Sequence, residues 1–346
     1  MNCIDYIISN NYVNENENEN KYKYKYNSNP NNKFLSQIKT NNFFFQNELL
    51  IHKIINPDDK RFYIFQTVEM IDYNEINKNI PSLEYSTTLK HSDNYLTRYK
   101  DIQFLSFEDV LSLHSNNIQS LRFLINSYKF LLDSIYFLVQ NNIIHNNIST
   151  TSIGINDNNE PVIFKFDLSL VLTHSNLNIN YLSKYFLSYD PTYYYRPLEL
   201  HLFSYLLSNK LTSLSMFHTE KIIEEVITNN MFICNFGENI KSLYEKEGRK
   251  FLEMFINKPF DYIVKQIFKY HSTWDNYRLS ILYLQLIINT YHLSENFIKK
   301  IIKILLVNIH SNPNLRYSIQ KTKDILEEVC YNTRCDEYKK IKLITI

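Results

Sequence analysis

Between Gln119 and Asn141 the residues Leu121, Leu124, Ile125, Tyr128, Leu131, Leu132, Ile135, Leu138 and Val139 recur at three- and four-residue steps, the spacing of one face of an α-helix. A helix with so continuous an apolar face is stable only when other elements cover it, so the chain predicts a core built along residues 119–141. The polar turns NNIST and NDNNEP follow and frame the short apolar runs IGI and VIFKF, which read as a β-hairpin.

Upstream, residues 14–33 read NENENENKYKYKYNSNPNNK, a repetitive polar tract that predicts a mobile segment or loop. FLSQIK predicts a short strand, and NNFFFQNELLIHKIIN carries apolar residues at helical spacing until Pro57 stops it. FYIFQTVEMI, residues 62–71, predicts a strand from its aromatic and β-branched content. After residue 200 helical patterns dominate, around 217–231, 238–256, 274–290 and 294–308. Strands in the front half and helices in the back half indicate an α+β protein with segregated parts.

With 346 residues, 44% of them hydrophobic and 15% aromatic, the chain is long enough for one two-lobed domain or two small ones with a real core. Lys and Arg number 37 against 36 Asp and Glu, so no global field draws the chain to nucleic acid or an anionic membrane. Cys3, Cys234, Cys330 and Cys335 are too few and scattered for a disulfide framework, which predicts a reduced, intracellular chain. Cys330 and Cys335 have no second pair beside them for zinc. No apolar run approaches the ~20 residues a membrane helix needs, and no secretory leader is visible.

The long helix ending in NNIIHNNISTTSIGI, a polar turn, then VIFKFDLSL is similar in order and spacing to the catalytic core of eukaryotic-type protein kinases. In that family the loop reads H-R-D-x-K-x-x-N, followed by two short strands and D-F-G. The matching residues here are His145, Asn146, Asn147, Ser149 and Ser152, then Asp167, Leu168 and Ser169. YYYRPLEL resembles the segment closing the activation loop, with Arg196 and then Glu199 as its acid. WDNYRLSILYLQLI resembles the family's buried D-x-W-x-x-G helix through Asp275, Tyr277 and Ser280, and NIHSNPNLRYSIQ supplies Arg316 as partner of Glu199. Upstream, Lys39 stands for the strand lysine and Glu48 for the helix glutamate that holds it. In its Asn-rich style the chain resembles kinase-like proteins of giant DNA viruses, which implies host cytoplasm or virion as its setting.

The resemblance implies a bilobal protein-kinase-like fold with a reduced N-terminal lobe and a helical C-terminal lobe. Residues 1–33 would be a polar N-terminal segment, 34–106 the small lobe, 107–335 the large lobe with an insertion at about 201–272, and 336–346 a tail. It also implies lost chemistry. Asn147 stands where a carboxylate would take the hydroxyl proton, and an amide has no useful basicity. Ser149 replaces the lysine that steadies the transferred phosphate, and Ser152 the asparagine that ligates a metal ion. Asn146 replaces the arginine that grips a phosphorylated loop, so Thr173, Ser175, Ser183 and Thr192 carry no special claim as phosphosites. The three glycines, Gly154, Gly237 and Gly248, all lie after Glu48, which excludes a glycine-rich phosphate loop.

For a cofactor there remain Lys39 on the phosphates, Glu48 holding it, and Asp167 on magnesium or manganese, which implies weak ATP binding or none. Plainer readings stand beside these roles: His145 as a satisfied core histidine, Lys39 as a solvated strand-end lysine, Glu48 as surface charge, Asp167 as a turn residue. Glu199 and Arg316 read as a structural pair, Asp275 as structural, and Tyr193 to Tyr195 as packing rather than a platform for bases. The leading expectation is a catalytically impaired pseudokinase that binds another protein through the 201–272 insertion, with no nucleic-acid or membrane partner. Its competitors are a divergent active Ser/Thr kinase, with Asp157 the nearest alternative carboxylate, and an unrelated α+β binding protein.

Overall fold

The computed structural model describes residues 22–26, 34–71, 93–100, 104–113, 117–172, 178–234, 237–290 and 296–332. The strands are β1 (Tyr22–Tyr26), β2 (Phe34–Thr40), β3 (Thr67–Ile71), β4 (Asn94–Lys100), β5 (Ile143–Ile144), β6 (Ile153–Ile155), β7 (Pro161–Ile163) and β8 (Leu170–Val171). The helices begin with α1 (Phe43–Ile54), α2 (Phe107–Leu113), α3 (Asn117–Gln140), α4 (Ile179–Phe186), α5 (Leu198–Ser208) and α6 (Met216–Asn229). They continue with α7 (Met231–Cys234), α8 (Glu238–Glu253), α9 (Phe260–Ile267), α10 (Trp274–Thr290), α11 (Asn296–Asn308) and α12 (Ile319–Asn332). The protein is α+β and divides into two compact units, one from Met1–Leu105 with Gly154–Ser169, the other from Ser106–Ile153 with Leu170–Ile346.

The first unit holds an antiparallel sheet in the order β1-β2-β4-β3. Helix α1 starts where the Asn42 side chain accepts the Phe45 N–H at 2.9 Å, and it carries Lys53 in its last turn, where a cation suits the helix dipole. Phe45 meets Tyr95 of β4 at 5.1 Å between ring centroids and forms a small core with Phe65 and Tyr99. Residues 154–169 join this unit through backbone bonds: Leu105 and Ile155 exchange two at 2.9 Å, and Tyr63 N–H donates to Ile163 O at 2.8 Å. β6 and β7 pair across the turn at Asn156–Glu160.

Three expectations for this unit need correction. Within the polar tract, Tyr22–Tyr26 is not a loop but the edge strand β1, in register from Tyr22↔Ile38 to Tyr26↔Phe34; the alternation Y-K-Y-K-Y has the two-residue period of a strand. Of residues 62–71 only Thr67–Ile71 joins the sheet. Phe62, Ile64 and Phe65 are buried instead, and burial needs only their apolar mass, not a ladder. In VIFKF the strand ends at Ile163, because Lys165 turns the chain at φ 64° into a 3-10 turn at Phe166–Leu168.

The second unit is helical. Along α3, residues Leu124, Leu131, Leu132, Ile135 and Leu138 are buried. α10 is enclosed on nearly every side, with Trp274, Tyr277, Leu279, Ile281, Leu282, Tyr283 and Leu284 all at 1% exposure or less. Several of its polar residues bond to one another and to neighbouring helices within the core. Ser280 Oγ lies 3.2 Å from the Tyr128 hydroxyl of α3, and Asn308 of α11 donates to both, at 3.3 Å to Tyr128 and 3.1 Å to Ser280. Thr322 of α12 donates to Asn308 Oδ1 at 3.0 Å, and Asn276 donates to Thr322 at 3.2 Å. One hydrogen-bonded chain therefore fixes the register of four helices. No helix among the described residues is long and apolar enough to cross a membrane.

With so few glycines, the left-handed backbone positions fall to other residues: Asn142, Asn146, Asn159, Lys165, Lys210 and Asn257 all have φ between 53° and 64°. Gly154 is kept for a different reason. A Cβ there would lie 2.6 Å from Phe104 Cβ, and the Phe104 ring stacks on Phe164 at 5.5 Å and 8°. Gly154→Ala should therefore destabilise the protein by roughly 1–3 kcal/mol through overpacking. Urea denaturation would read this, and the added loss should shrink when Phe104 is also replaced by Ala, because the clash is then gone.

Candidate functional site

Every candidate residue lies in one unit or the other. In the first unit, β2 ends one residue after Lys39 and α1 begins at Phe43, so a short connection lets the helix bring Glu48 back onto the strand. Lys39 Nζ and Glu48 Oε2 form an ion pair with side chains only 10% and 8% exposed. The ammonium also sits 5.9, 5.9 and 5.7 Å from the ring centroids of Phe45, Phe65 and Tyr99, and the Tyr99 hydroxyl reaches Glu48 Oε1 at 3.4 Å. The solvated-lysine and surface-glutamate readings are overturned: three ring faces and a carboxylate take up this cation.

Asn47, beside Glu48 on α1, donates its side-chain amide to Ser169 O. Ser169 is fully buried and closes the 3-10 turn by donating its N–H to Phe166 O at 3.1 Å. Neighbouring residues of one helix thus grip Lys39 and the turn that carries half-buried Asp167. Asn47 was not among the residues singled out from the sequence, and nothing in its neighbours' pattern marks it.

In the second unit, the loop after β5 is braced from α10. Asp275, 1% exposed, accepts the His145 N–H at 2.7 Å through one carboxylate oxygen and the Asn146 N–H at 3.0 Å through the other. Asn146 has φ 60°, and its side-chain oxygen accepts from Arg278 Nη2 at 2.6 Å. His145 is fully buried, in line with a core role. Ser152 is also fully buried; its hydroxyl donates to Asn147 O at 2.5 Å and accepts the Ser149 N–H at 3.0 Å. The Ser149 hydroxyl lies 3.0 Å from Thr151 Oγ1. Ser149 and Ser152 therefore spend their polar groups closing the loop on itself. Asn147 is half-buried, and Asp157 is exposed on the turn after β6.

Glu199 and Arg316 meet with neither side chain exposed to solvent. Two parallel bonds of 2.6 and 2.8 Å join them, Trp274 Nε1 donates to Glu199 at 3.0 Å, and Arg316 Nε donates to His310 O at 2.7 Å. Burial alone would lower the Arg316 pKa, but the Glu199 carboxylate holds it above its usual value. Arg316 also covers the Tyr277 ring at 4.9 Å. Tyr194 and Tyr195 both bond the Gln285 amide of α10, at 2.9 and 2.7 Å, so this tyrosine run is packing. Thr173, Ser175, Cys3, Cys335 and the 336–346 tail lie outside the described residues.

Removing one partner of the buried pair should cost far more than the pair itself contributes. Arg316→Met leaves a carboxylate enclosed with only the Trp274 N–H among its described partners, and should destabilise by about 3–5 kcal/mol. Arg316→Met with Glu199→Gln should recover much of that loss in denaturant midpoints, since no buried charge is then left uncompensated. Compared with known proteins, the chain matches no protein-family model and no curated protein sequence.

Proposed function

We propose that this chain is a protein-kinase-like domain of bilobal type that has lost phosphoryl transfer and acts by binding another protein, as a pseudokinase. The observation that carries the reading is the set of contacts around His145 to Ser152: a buried aspartate from α10 holds the loop's backbone, while the loop itself offers no carboxylate. Further support comes from the Lys39–Glu48 pair, from the enclosed Glu199–Arg316 pair, and from a helical unit packed around α10. These contacts join the distant positions that the resemblance pairs, which favours this reading over an unrelated α+β protein.

For a metal–nucleotide complex there remain Lys39, held by Glu48, and Asp167. No glycine precedes Glu48 to cradle phosphates, and the Ser152 hydroxyl is buried in the loop's own hydrogen bonds, so the complex would be weak or absent. Asn147 orients a hydroxyl but cannot accept its proton. Protein binding falls to the 201–272 stretch. Its first helical turns are not detachable, since Leu202, Phe203 and Leu206 of α5 are core residues. Its exposed side, with Phe217 at 72% and Met216 at 52% exposure and a groove of about 280 Å³ between α6 and α8, is the surface open to a partner.

Millimolar ATP with magnesium or manganese should leave the Tm of the purified protein unchanged. Asn147→Asp with Ser149→Lys should not create phosphotransfer to a protein substrate. A metal-dependent rise in Tm that both Lys39→Ala and Asp167→Ala abolish would instead favour the divergent active kinase.

A further inference from the structure

The tract NENENENKYKYKY, residues 14–26, keeps a two-residue period from end to end, with Glu15, Glu17 and Glu19 followed in phase by Lys21, Lys23 and Lys25. In a strand such a period sets all of these charged positions on one face. The last residues of the tract, Tyr22–Tyr26, are β1. β1 ends the sheet of the first unit: it pairs with β2 on one side, and among the described residues no strand pairs with its other side. The backbone N–H and C=O groups along such an edge are a template for a further strand.

Charge decides which strand fits. Set antiparallel to itself about Asn20, the tract is its own complement: Glu15 stands opposite Lys25, Glu17 opposite Lys23 and Glu19 opposite Lys21. Asn14, Asn16 and Asn18 then stand opposite Tyr26, Tyr24 and Tyr22. Opposite charges directly across a pair of strands stabilise it, and like charges destabilise it. No other register matches every charge in the tract. A slip of one residue sets the charges opposite Asn and Tyr, a slip of two sets Lys21 against Lys21 or Glu19 against Glu19, and parallel pairing in register sets like against like throughout. A single chain folded back in the matching register would have Glu19, Asn20 and Lys21 as its turn. That removes two charges from the ladder and puts Lys21 where a three-residue hairpin turn takes a left-handed backbone, the place of glycine. A second chain meets neither constraint.

We propose that the free edge of β1 is a self-association surface, on which residues 14–20 of a second copy of this chain add as an antiparallel strand. Each copy does the same for the other about a two-fold axis at Asn20, so the contact closes as a dimer instead of extending into a fibre. Main-chain bonds along the edge hold the two copies, and the Glu–Lys alternation fixes partner and register. This surface does not depend on the kinase-like reading.

The test is sedimentation equilibrium of the full chain over a concentration series at low and at high salt. The wild type should form a reversible dimer whose Kd rises at least about tenfold in the higher salt, as the ion pairs are screened. The triple variant Glu15→Lys, Glu17→Lys, Glu19→Lys, which leaves β1 itself unaltered, should be monomeric, and so should Lys21→Glu, Lys23→Glu, Lys25→Glu. Mixed in equal amounts, the two variants should form a heterodimer, a rescue that a tract serving only the fold of its own chain would not give. A wild type that stays monomeric at every concentration overturns the proposal, whether the edge is bare or closed by its own chain. A dimer that the Glu→Lys variant keeps, or a mixture of variants that does not associate, overturns it as well.

Discussion

Glu199 and Arg316 are separated by 117 positions in the chain, and neither side chain is exposed to solvent. Such a pair stabilises only when its geometry is near ideal and its remaining lone pairs and donors are met, since desolvating two ions costs several kcal/mol apiece. Here both conditions hold, through two parallel bonds and the added partners Trp274, His310 and Thr273. The start of α5, the start of α10 and the segment before α12 are fixed against each other by this requirement. Everything α10 carries inherits that fixation, including Asp275 and Arg278.

The helices were the part of the fold most readable from sequence. Residues 119–141 and 274–290 announce themselves because an enclosed helix must repeat apolar residues at helical spacing, and α10 begins and ends where its pattern does. The strands were harder. Phe62 to Phe65 have the composition of a strand, yet they fill a core as irregular chain, because burial and β-pairing reward the same residues. The edge strand at Tyr22–Tyr26 hid in a tract whose overall polarity outweighed its alternation.

Among the candidate residues, the pair Lys39 and Glu48 in the first unit and Asp275, Glu199 and Arg316 in the second could be picked out only through their likeness to motif positions. What that likeness omitted is the material between the motifs. Asn47 bonds a carbonyl 122 residues away, and no feature of NNFFFQNELL foretells it. Arg278 did leave a trace, a single cation inside WDNYRLSILYLQLI. A charge on a helix with no solvated face must have an electrostatic reason for being there.

Among the described residues, the left-handed corners are turned mostly by asparagine. Asn142, Asn146, Asn159 and Asn257 adopt the left-handed conformation that glycine reaches freely and asparagine reaches at small cost. The difference lies in the unfolded chain: glycine there explores far more backbone states, so a turn built without it gives up less entropy on closing. The same restriction works in the native state, where such a corner has fewer conformations to visit and acts as a fixed joint rather than a hinge. Asn146 is one of these joints, and it stands in the loop that Asp275 and Arg278 hold.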